Sequence, residues 1–158
     1  MIDPDRTVNK NLPELVCALK KMDKHITIET AGIAFIPDMP CDLMSISPKL
    51  SNSTPEDPKL AKIHEDSRLD IAVLSELVRS YDYQLKFVVD TEDDLPEIEK
   101  TIEEIGNVDS KKVLLMPQAK TREELLAKSP MVADLCKQSG FAFSPRLHLL
   151  LWDEHRNK

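Results

Sequence analysis

Apolar and polar residues follow two different periods along this chain, and the two periods predict helices and strands in turn. Leu12, Leu15, Val16 and Leu19 recur at helical spacing, which predicts a helix over residues 12–22. Short apolar runs rich in β-branched residues predict strands at 25–30 and 42–47. The same patterns predict the later elements: helices within 59–79 with a break near 66–67, at 95–105, from Thr121 and from Ser129–Pro130 to Gly140, and strands at 83–89, 113–116 and 141–152.

The order of these elements predicts an α/β fold. Strands separated by helices require right-handed crossovers and a mainly parallel sheet, here of about five strands with helices on the outer face. A complete eight-stranded barrel takes about 250 residues, so 158 residues fit only a partial (β/α) barrel. The chain is expected to form a single domain over residues 1–158. Its first predicted helix follows no strand, which is typical of the middle of such a fold.

Composition excludes several classes of protein. The 28 acidic residues outnumber the 21 basic ones and give a net charge of −7, which argues against nucleic acid as the main partner. No apolar stretch approaches the roughly 20 residues of a membrane span, and the polar N-terminus lacks a signal-peptide core. The cytoplasm is therefore the expected location. The polar, proline-bearing stretch 49–57 is the best candidate for a mobile loop.

Polar side chains follow the first two predicted strands, where ligands collect in parallel α/β proteins. Glu29 and Thr30 end the first strand, and Ser47 and Lys49 follow the second. A carboxylate, two hydroxyls and an ammonium group at neighbouring strand ends predict a polar site for a small-molecule ligand. The competing interpretation of Ser47-Pro48-Lys49 is a strand terminator followed by a solvated lysine.

Three further polar residues interrupt apolar strands. Lys86 either lies on the solvated face of an edge strand or provides a charge inside the barrel, facing a ligand or Glu29 on the neighbouring strand. His148 is either a hydrogen-bonded structural residue or a ligand contact. Arg146 is either a surface residue or a bidentate partner for a substrate carboxylate. The aromatic residues Phe141, Phe143 and Trp152 are expected to pack in the core or barrel floor.

The three cysteines, Cys17, Cys41 and Cys136, are far apart in sequence and odd in number. Their spacing predicts neither a disulfide framework nor a metal site. Cys17 and Cys136 fall on the apolar faces of predicted helices, so all three are expected to be reduced packing residues. The acidic run 92–94 is expected at a helix N-terminus, where negative charge is favoured, and not at a metal site.

Five segments in this order resemble one family of enzymes. The segments read TIETAG, CDLMSISPKLSNS, QLKFVV, LLMPQAKTREEL and FSPRLHLLLW. Together they resemble the C-terminal two thirds of 7-carboxy-7-deazaguanine synthase, a radical S-adenosylmethionine enzyme of queuosine and 7-deazapurine biosynthesis. The resemblance implies a shortened (β/α) barrel. It also implies a magnesium-dependent lyase reaction that contracts the ring of 6-carboxytetrahydropterin and releases ammonia.

The resemblance also implies site residues. Two stretches of this chain match family segments that contact S-adenosylmethionine: Ser47, Pro48 and Lys49, and Met116, Pro117, Gln118 and Ala119. A hydroxyl and an ammonium group suit the methionine carboxylate, and backbone and amide groups suit the adenine edge. Glu29, Lys86, Arg146 and His148 are the candidates for substrate binding.

The chain departs from the family pattern in its iron–sulfur and magnesium ligands. Family members hold a four-iron, four-sulfur cluster with a cysteine triad, and a Gly-Gly-Glu-Pro motif binds the amino group of S-adenosylmethionine. Neither motif occurs in this sequence, and the residue that helps to place magnesium is missing too. Three closely placed thiolates are needed to leave one iron open, so no catalytic and no metal-binding residue is assigned.

Three interpretations remain open. The chain is part of a synthase that is inactive alone, as a truncated product, a decayed gene or one half of a split enzyme. Alternatively it is a non-catalytic ligand- or partner-binding module derived from that fold, or an unrelated small α/β module. Because the first strand has no predicted neighbour on one side, its open edge is expected to self-associate or to bind a complementary N-terminal polypeptide.

Overall fold

A computed structural model describes residues 11–153. The helices and strands, in chain order, are α1 (Leu12–Lys20), β1 (Thr27–Thr30), β2 (Leu43–Ile46), α2 (Pro58–Ser67), α3 (Ile71–Ser80), β3 (Tyr83–Val89), α4 (Leu95–Ile105), β4 (Val113–Pro117), α5 (Arg122–Ser139), β5 (Ala142–Phe143) and α6 (Leu147–Trp152). Short 3₁₀ turns at Ser51–Ser53, Glu92–Asp94 and Ser110–Lys112 precede α2, α4 and β4.

The five strands form one sheet in the order in which they occur along the chain, β1-β2-β3-β4-β5. Every neighbouring pair is parallel. A parallel sheet wound in one direction, with a crossover between successive strands, is the arrangement of a barrel wall. The predicted α/β class, the parallel five-stranded sheet and the helices are therefore confirmed.

One face of the sheet forms the main hydrophobic core. Tyr83, Leu85, Phe87 and Val89 alternate along β3 and are all buried. They belong to one apolar cluster with side chains from α3, α4 and α5, including Leu77, Ile98 and Leu135. The side chains on one face of β3 thus pack against the apolar stripes of three helices. Burial of this apolar surface drives folding.

The opposite face of the sheet carries the polar residues. Glu29, Ser45 and Gln84 occupy one register row across β1, β2 and β3. Lys86 lies one pair further along β3 on the same face, opposite Leu114 of β4. This face is only partly covered, and we refer to it below as the open face.

A glycine turns the chain at the end of β1. Gly32 has φ +77° and is buried, and its amide donates to the Thr30 hydroxyl over 3.1 Å. A Cβ atom at this position would lie 2.3 Å from the Leu74 Cδ2 atom of α3. Only glycine satisfies both the positive φ and the close approach, so the chain can leave β1 directly over the core.

Two sequence-based predictions about the C-terminal third are wrong. No new helix starts at Ser129-Pro130, because α5 runs continuously from Arg122 to Ser139 with Pro130 inside it. Pro130 lies on the exposed side of α5, where solvent can satisfy the carbonyl oxygen that loses its amide partner. The Thr121 hydroxyl caps this helix by accepting from the Glu124 amide, as the capping pattern predicted.

The predicted final strand at 141–152 is also wrong. Only Ala142–Phe143 is a strand, and Leu147–Trp152 forms the short helix α6. Pro145 has no backbone N–H to continue a strand ladder, and the leucines that follow are good helix formers. Phe143 and Trp152 are exposed and not core residues, whereas Phe141 packs partly against the core.

The cysteines and the loop after β2 also differ from expectation. Cys17 is exposed and therefore not a packing residue, Cys41 is half-buried, and Cys136 is buried as predicted. The stretch 49–57, predicted to be a mobile loop, contains the buried Leu50 and a 3₁₀ turn at Ser51–Ser53. Among residues 11–153, no helix is both long and apolar enough to span a bilayer.

Candidate functional site

A cavity of about 310 Å³ lies on the open face where the parallel strands end. This volume is at the lower end of the roughly 300–1,000 Å³ of small-molecule sites. Strands β1 to β4 and the segment before α6 all contribute to it. Its lining consists of Glu29, Thr30, Ala31, Ser45, Ser47, Lys49, Lys86, Val88, Met116 and Arg146.

Six of the eleven residues predicted for the site meet in this one cavity. They are Glu29, Ser47, Lys49, Lys86, Met116 and Arg146. They come from β1, the segment after β2, β3, β4 and the N-terminal end of α6, so the fold gathers residues that are up to 117 positions apart (146 − 29). Convergence at the carboxyl ends of the strands is what the parallel arrangement dictates.

Lys86 and Glu29 form an ion pair across the cavity floor. The Lys86 Nζ and Glu29 Oε1 atoms are 3.5 Å apart. The two residues were expected on neighbouring strands, but β2 lies between β1 and β3, and the pair therefore spans three strands. Lys86 is only 18% exposed and Glu29 is 76% exposed, so solvent weakens the attraction and leaves the carboxylate accessible.

Ser45 lies on β2, the strand between those that carry Glu29 and Lys86. It is 1% exposed, and its hydroxyl accepts a 2.9 Å hydrogen bond from the Gln84 side-chain amide. Sequence reasoning missed Ser45 as well as Val88. The strand register could have identified Ser45. This serine interrupts an apolar strand, pairs with Glu29 of β1, and therefore lies on the same face of the sheet as Lys86.

Arg146 provides a guanidinium group beside the cavity. Its Nε atom donates to the Pro117 carbonyl oxygen over 3.1 Å. Partial burial lowers the pKa of Arg146, yet a guanidinium stays charged in proteins. Among residues 11–153 no carboxylate is recorded within ion-pair distance of it, so its remaining N–H groups are available to an acidic ligand.

The segment after β2 brings Ser47 and Lys49 to the cavity rim. The Ser47 amide continues the ladder by donating to the Thr30 carbonyl oxygen over 2.7 Å. Pro48 and Leu50 are buried on either side of the exposed Lys49. No described residue is recorded as a partner of the Lys49 side chain. Its place on the cavity wall, with the side chain exposed, fits both a solvated lysine and a ligand-binding one.

The residues at the end of β4 and directly after it differ in their relation to the cavity. Met116 lines the cavity, and Pro117 and Ala119 are buried. The Gln118 amide donates to the Val89 carbonyl oxygen over 2.7 Å. The side-chain Oε1 atom of Gln118 is buried without a recorded partner in the described part of the chain, which makes it an available acceptor.

The structure does not bring His148 to the cavity. This histidine lies on α6 and is exposed, because residues 147–152 form a helix and not the predicted strand. Pro48, Pro117, Gln118 and Ala119 also do not line the cavity, and of these only Pro48 and Pro117 are next in sequence to a residue that does.

The charges of the cavity differ from those of the whole chain. Lys49, Lys86 and Arg146 are three cations, and Glu29 is the one carboxylate of the lining, so the lining carries a net charge of +2 (3 − 1). The whole chain carries −7. A cationic lining with one accessible carboxylate suits a small ligand that carries both acidic and basic groups.

The described cysteines do not fit an iron–sulfur cluster. Cys17 lies on α1, Cys41 precedes β2, and Cys136 lies on α5 within the hydrophobic core. Burial raises the pKa of Cys41 and of Cys136, which disfavours the thiolate that a cluster needs. In the described region, no group of three or more histidine, cysteine, aspartate or glutamate residues is arranged to hold a metal ion.

The fold and the cavity define an α/β protein with a cavity lined by charged residues at the carboxyl ends of a parallel sheet. Three curated relatives, all named 7-carboxy-7-deazaguanine synthase, are similar to the chain. The protein of Halobacterium salinarum is 41% identical over 152 residues, 89% of this chain. Those of Rhodopirellula baltica and Pyrobaculum aerophilum are 36% and 31% identical, each over 94% of this chain.

Over the length that it shares with them, the chain is similar to 7-carboxy-7-deazaguanine synthases. The resemblance seen in the motifs is thereby confirmed. The chain spans 59% of the length of the first two relatives and 61% of the third. No protein-family model and no solved structure matches it.

Proposed function

We propose that this chain forms the ligand-binding part of a 7-carboxy-7-deazaguanine synthase-type enzyme and binds S-adenosylmethionine in the open-face cavity. The observation that carries the proposal is the convergence of six residues from five elements, chosen from sequence alone, on one cavity. In this proposal residues 1–158 form one domain, an incomplete barrel of the radical S-adenosylmethionine type.

The cavity residues suit the chemical groups of this ligand. The Ser47 hydroxyl and the Lys49 ammonium group are placed to bind the methionine carboxylate, and the accessible Glu29 carboxylate suits a positive centre. Met116 lines the cavity and is the residue of this segment that we place beside the adenine, whereas Gln118 would need to move before its buried Oε1 atom could bind the adenine edge. Arg146 and Lys86 then face the acidic group of a pterin-type substrate, and His148 would need to move to join them.

In the family, S-adenosylmethionine supplies the radical that starts the ring contraction, with an iron–sulfur cluster and magnesium as further cofactors. Because the described cysteines are scattered over three elements, we propose that the isolated chain holds no such cluster and does not cleave S-adenosylmethionine. The activity of the whole enzyme would then need ligands from outside residues 1–158, either from further chain or from a second polypeptide. A protein with four irons per chain that forms 5′-deoxyadenosine under reduction would contradict this.

The edge of β1 is where we place that polypeptide. Strand β1 pairs only with β2 in the described sheet. An apolar cavity of about 390 Å³, lined by Ile28, Ile33 and Ile36 among others, lies beside the same edge. Unpaired strand groups next to an apolar depression are a template for an added strand, either from a complementary chain or from a second copy.

A second candidate function is binding without catalysis. In that case the cavity binds a nucleoside-like or pterin-like molecule and no partner restores turnover. The two candidates differ in one outcome: addition of the N-terminal part of a relative restores product formation only in the first.

Calorimetry with S-adenosylmethionine tests the binding proposal. We expect roughly millimolar affinity, equivalent to about −4 kcal/mol, because part of the family's anchoring is missing. Lys49→Ala should weaken binding, whereas the matched control Lys100→Ala, at an exposed position on α4, should not. Micromolar affinity that is unchanged by Lys49→Ala would show that the ligand binds elsewhere.

Sedimentation velocity tests the edge proposal. The isolated chain should self-associate at tens of micromolar, and Thr27→Lys, at an exposed position of β1, should reduce the association. The matched control is Ala142→Lys on the other edge strand, β5, and it should leave association unchanged. A monodisperse wild-type monomer would contradict the proposal.

A further inference from the structure

A ring of hydrogen bonds holds the segment that carries Lys49, and apart from Lys49 itself no residue of this ring lines the cavity. Arg68, between α2 and α3, donates from one guanidinium nitrogen to the Lys49 carbonyl oxygen over 2.9 Å and to the Glu97 carboxylate over 2.6 Å. Glu97, on α4, in turn accepts from the Ser51 amide over 3.1 Å and from the Ser51 hydroxyl over 2.6 Å. We call Arg68, Glu97 and Ser51, with the Lys49 carbonyl, the clasp.

The partial burial of the clasp suits it to hold the segment of Lys49 in one position. Arg68 is 14% exposed and Glu97 is 23% exposed, so solvent competes less for these bonds than for those of a surface pair. The second arm of Arg68, its Nε atom, donates to Glu65 of α2 over 2.7 Å. The guanidinium therefore joins α2, α4 and the segment after β2 at one point, and its planar fork suits this role better than a lysine would.

A second contact holds the same segment from the other side. The Asn52 side-chain amide donates to the Val88 carbonyl oxygen over 3.0 Å and to Asp94 over 2.9 Å. Val88 lines the cavity, so this contact links the segment to the end of β3. Between Arg68 at the Lys49 carbonyl and Asn52 at β3, the backbone of Lys49 has little freedom to shift.

We propose that Arg68 is a positioning residue for the cavity: through the clasp it sets where Lys49 meets an anionic ligand group, without touching the ligand itself. This inference rests on the proposed binding of S-adenosylmethionine. It adds a dependence of affinity on an ion pair between two helical regions, outside the cavity. The Lys49 side chain has no recorded partner of its own. A substitution of Arg68 removes the hydrogen bond to the Lys49 carbonyl oxygen and so removes one constraint on the position of Lys49.

The test uses the full chain with S-adenosylmethionine as the probe and two measurements, ligand affinity and amide hydrogen exchange. Arg68→Met keeps an unbranched apolar stem but removes the donors and the charge, and Arg68→Lys restores charge with fewer donors. The matched control is Arg79→Met, which removes an exposed pair with Glu76 on α3, far along the chain from the clasp.

We expect Arg68→Met to weaken affinity about tenfold and to speed exchange of the Ser51 amide about tenfold, since bonds from charged groups to partly buried partners have this effect. Arg68→Lys should recover part of both changes. Exchange of the buried Ile46 amide in β2 should stay unchanged, which separates positioning from general loss of stability. Arg79→Met should change neither affinity nor Ser51 exchange.

Three results would overturn the inference. The first is unchanged affinity together with faster Ser51 exchange, because the position of Lys49 would then be irrelevant to the ligand. The second is an equal rise in exchange at Ile46, because Arg68 would then serve only global stability. The third is a wild-type chain that shows no binding at all; this would reject the proposed function and its coupling to Arg68, while the exchange data would still report whether Arg68 holds the segment.

Discussion

The two faces of strand β3 show how one short sequence serves both stability and binding. On one face Phe87 is fully buried among the side chains of three helices. On the other face, one residue earlier, Lys86 reaches across three strands to Glu29 at a cavity. The alternation of side chains along a strand separates the two roles, so substitutions one residue apart should have opposite consequences.

Phe87→Ala should have the largest effect on stability. Removal of a fully buried aromatic ring leaves a cavity in the main core, which typically costs 3–5 kcal/mol of unfolding free energy. Urea denaturation followed by circular dichroism measures this change. A loss below about 1 kcal/mol would mean that the helix-covered face is not the packed core described here.

Gly32→Ala should have the next largest effect, because it disturbs the turn that leads from the open face over the core. Alanine must adopt φ near +77°, and its Cβ atom would lie 2.3 Å from Leu74 Cδ2. Strain and overpacking together should cost roughly 2–3 kcal/mol of unfolding free energy. The control Gly106→Ala has a similar φ of +71° but meets no atom within 4 Å, so the difference between the two variants isolates the steric contribution.

Lys86→Met should reverse the pattern of Phe87→Ala. Its partner Glu29 is 76% exposed, so loss of the pair should change unfolding free energy by less than about 1 kcal/mol. Affinity for S-adenosylmethionine should nevertheless fall, because one of three cavity cations is lost. Thermal denaturation and calorimetry on the same sample separate the two quantities, and a large loss of stability with unchanged affinity would contradict the division between the faces.

The smallest expected effect is a pH dependence of the clasp. Burial alone would raise the pKa of Glu97, but the hydrogen bonds from Ser51 and Arg68 outweigh it, and the pKa lies below its ordinary value. A carboxyl group with a lowered folded-state pKa adds stability above its unfolded-state pKa of about 4.3 and loses it as the pH falls through the folded-state value. Protection of the Ser51 amide should therefore decline below about pH 4.

Glu97→Gln should remove this acid-dependent step in Ser51 exchange, with a change of no more than about 1 kcal/mol in local stability. The matched control Glu99→Gln, on the exposed side of the same helix, should retain it. A step that persists unchanged in Glu97→Gln would assign the pH dependence to another group.

Much of the fold follows from local patterns, and the failures occur where tertiary contacts override them. The alternation along 83–89 and the apolar stripe along 95–105 predicted β3 and α4 with their observed bounds. In both elements the apolar positions of the pattern are the ones that face the core. The predicted helix start at Pro130 was wrong because the exposed position of this proline removes most of the energetic cost of a proline inside a helix. The predicted strand at 141–152 was wrong because a continuous apolar run is compatible with either a strand or a helix.

The residues of the candidate site that lie at strand ends were predictable from the sequence. Glu29, Ser47, Lys49, Lys86 and Arg146 were visible as polar residues in or after apolar segments, and the parallel sheet brings them together. Ser45 required knowledge of register. Arg68 gave no local signal, because its role depends on contacts with residues 19 and 29 positions away in sequence.

The most direct test of the account is an NMR titration of the isotope-labelled wild-type chain with S-adenosylmethionine up to about 10 mM, a range that covers millimolar binding. The account predicts saturable shift changes at Thr30, Ser47, Lys49, Lys86 and Met116, which surround the open-face cavity. Amides of the helices that cover the opposite face should remain unchanged. Shift changes confined to the depression beside the β1 edge, or no saturable change at any residue, would contradict the assignment of the open face as the binding site.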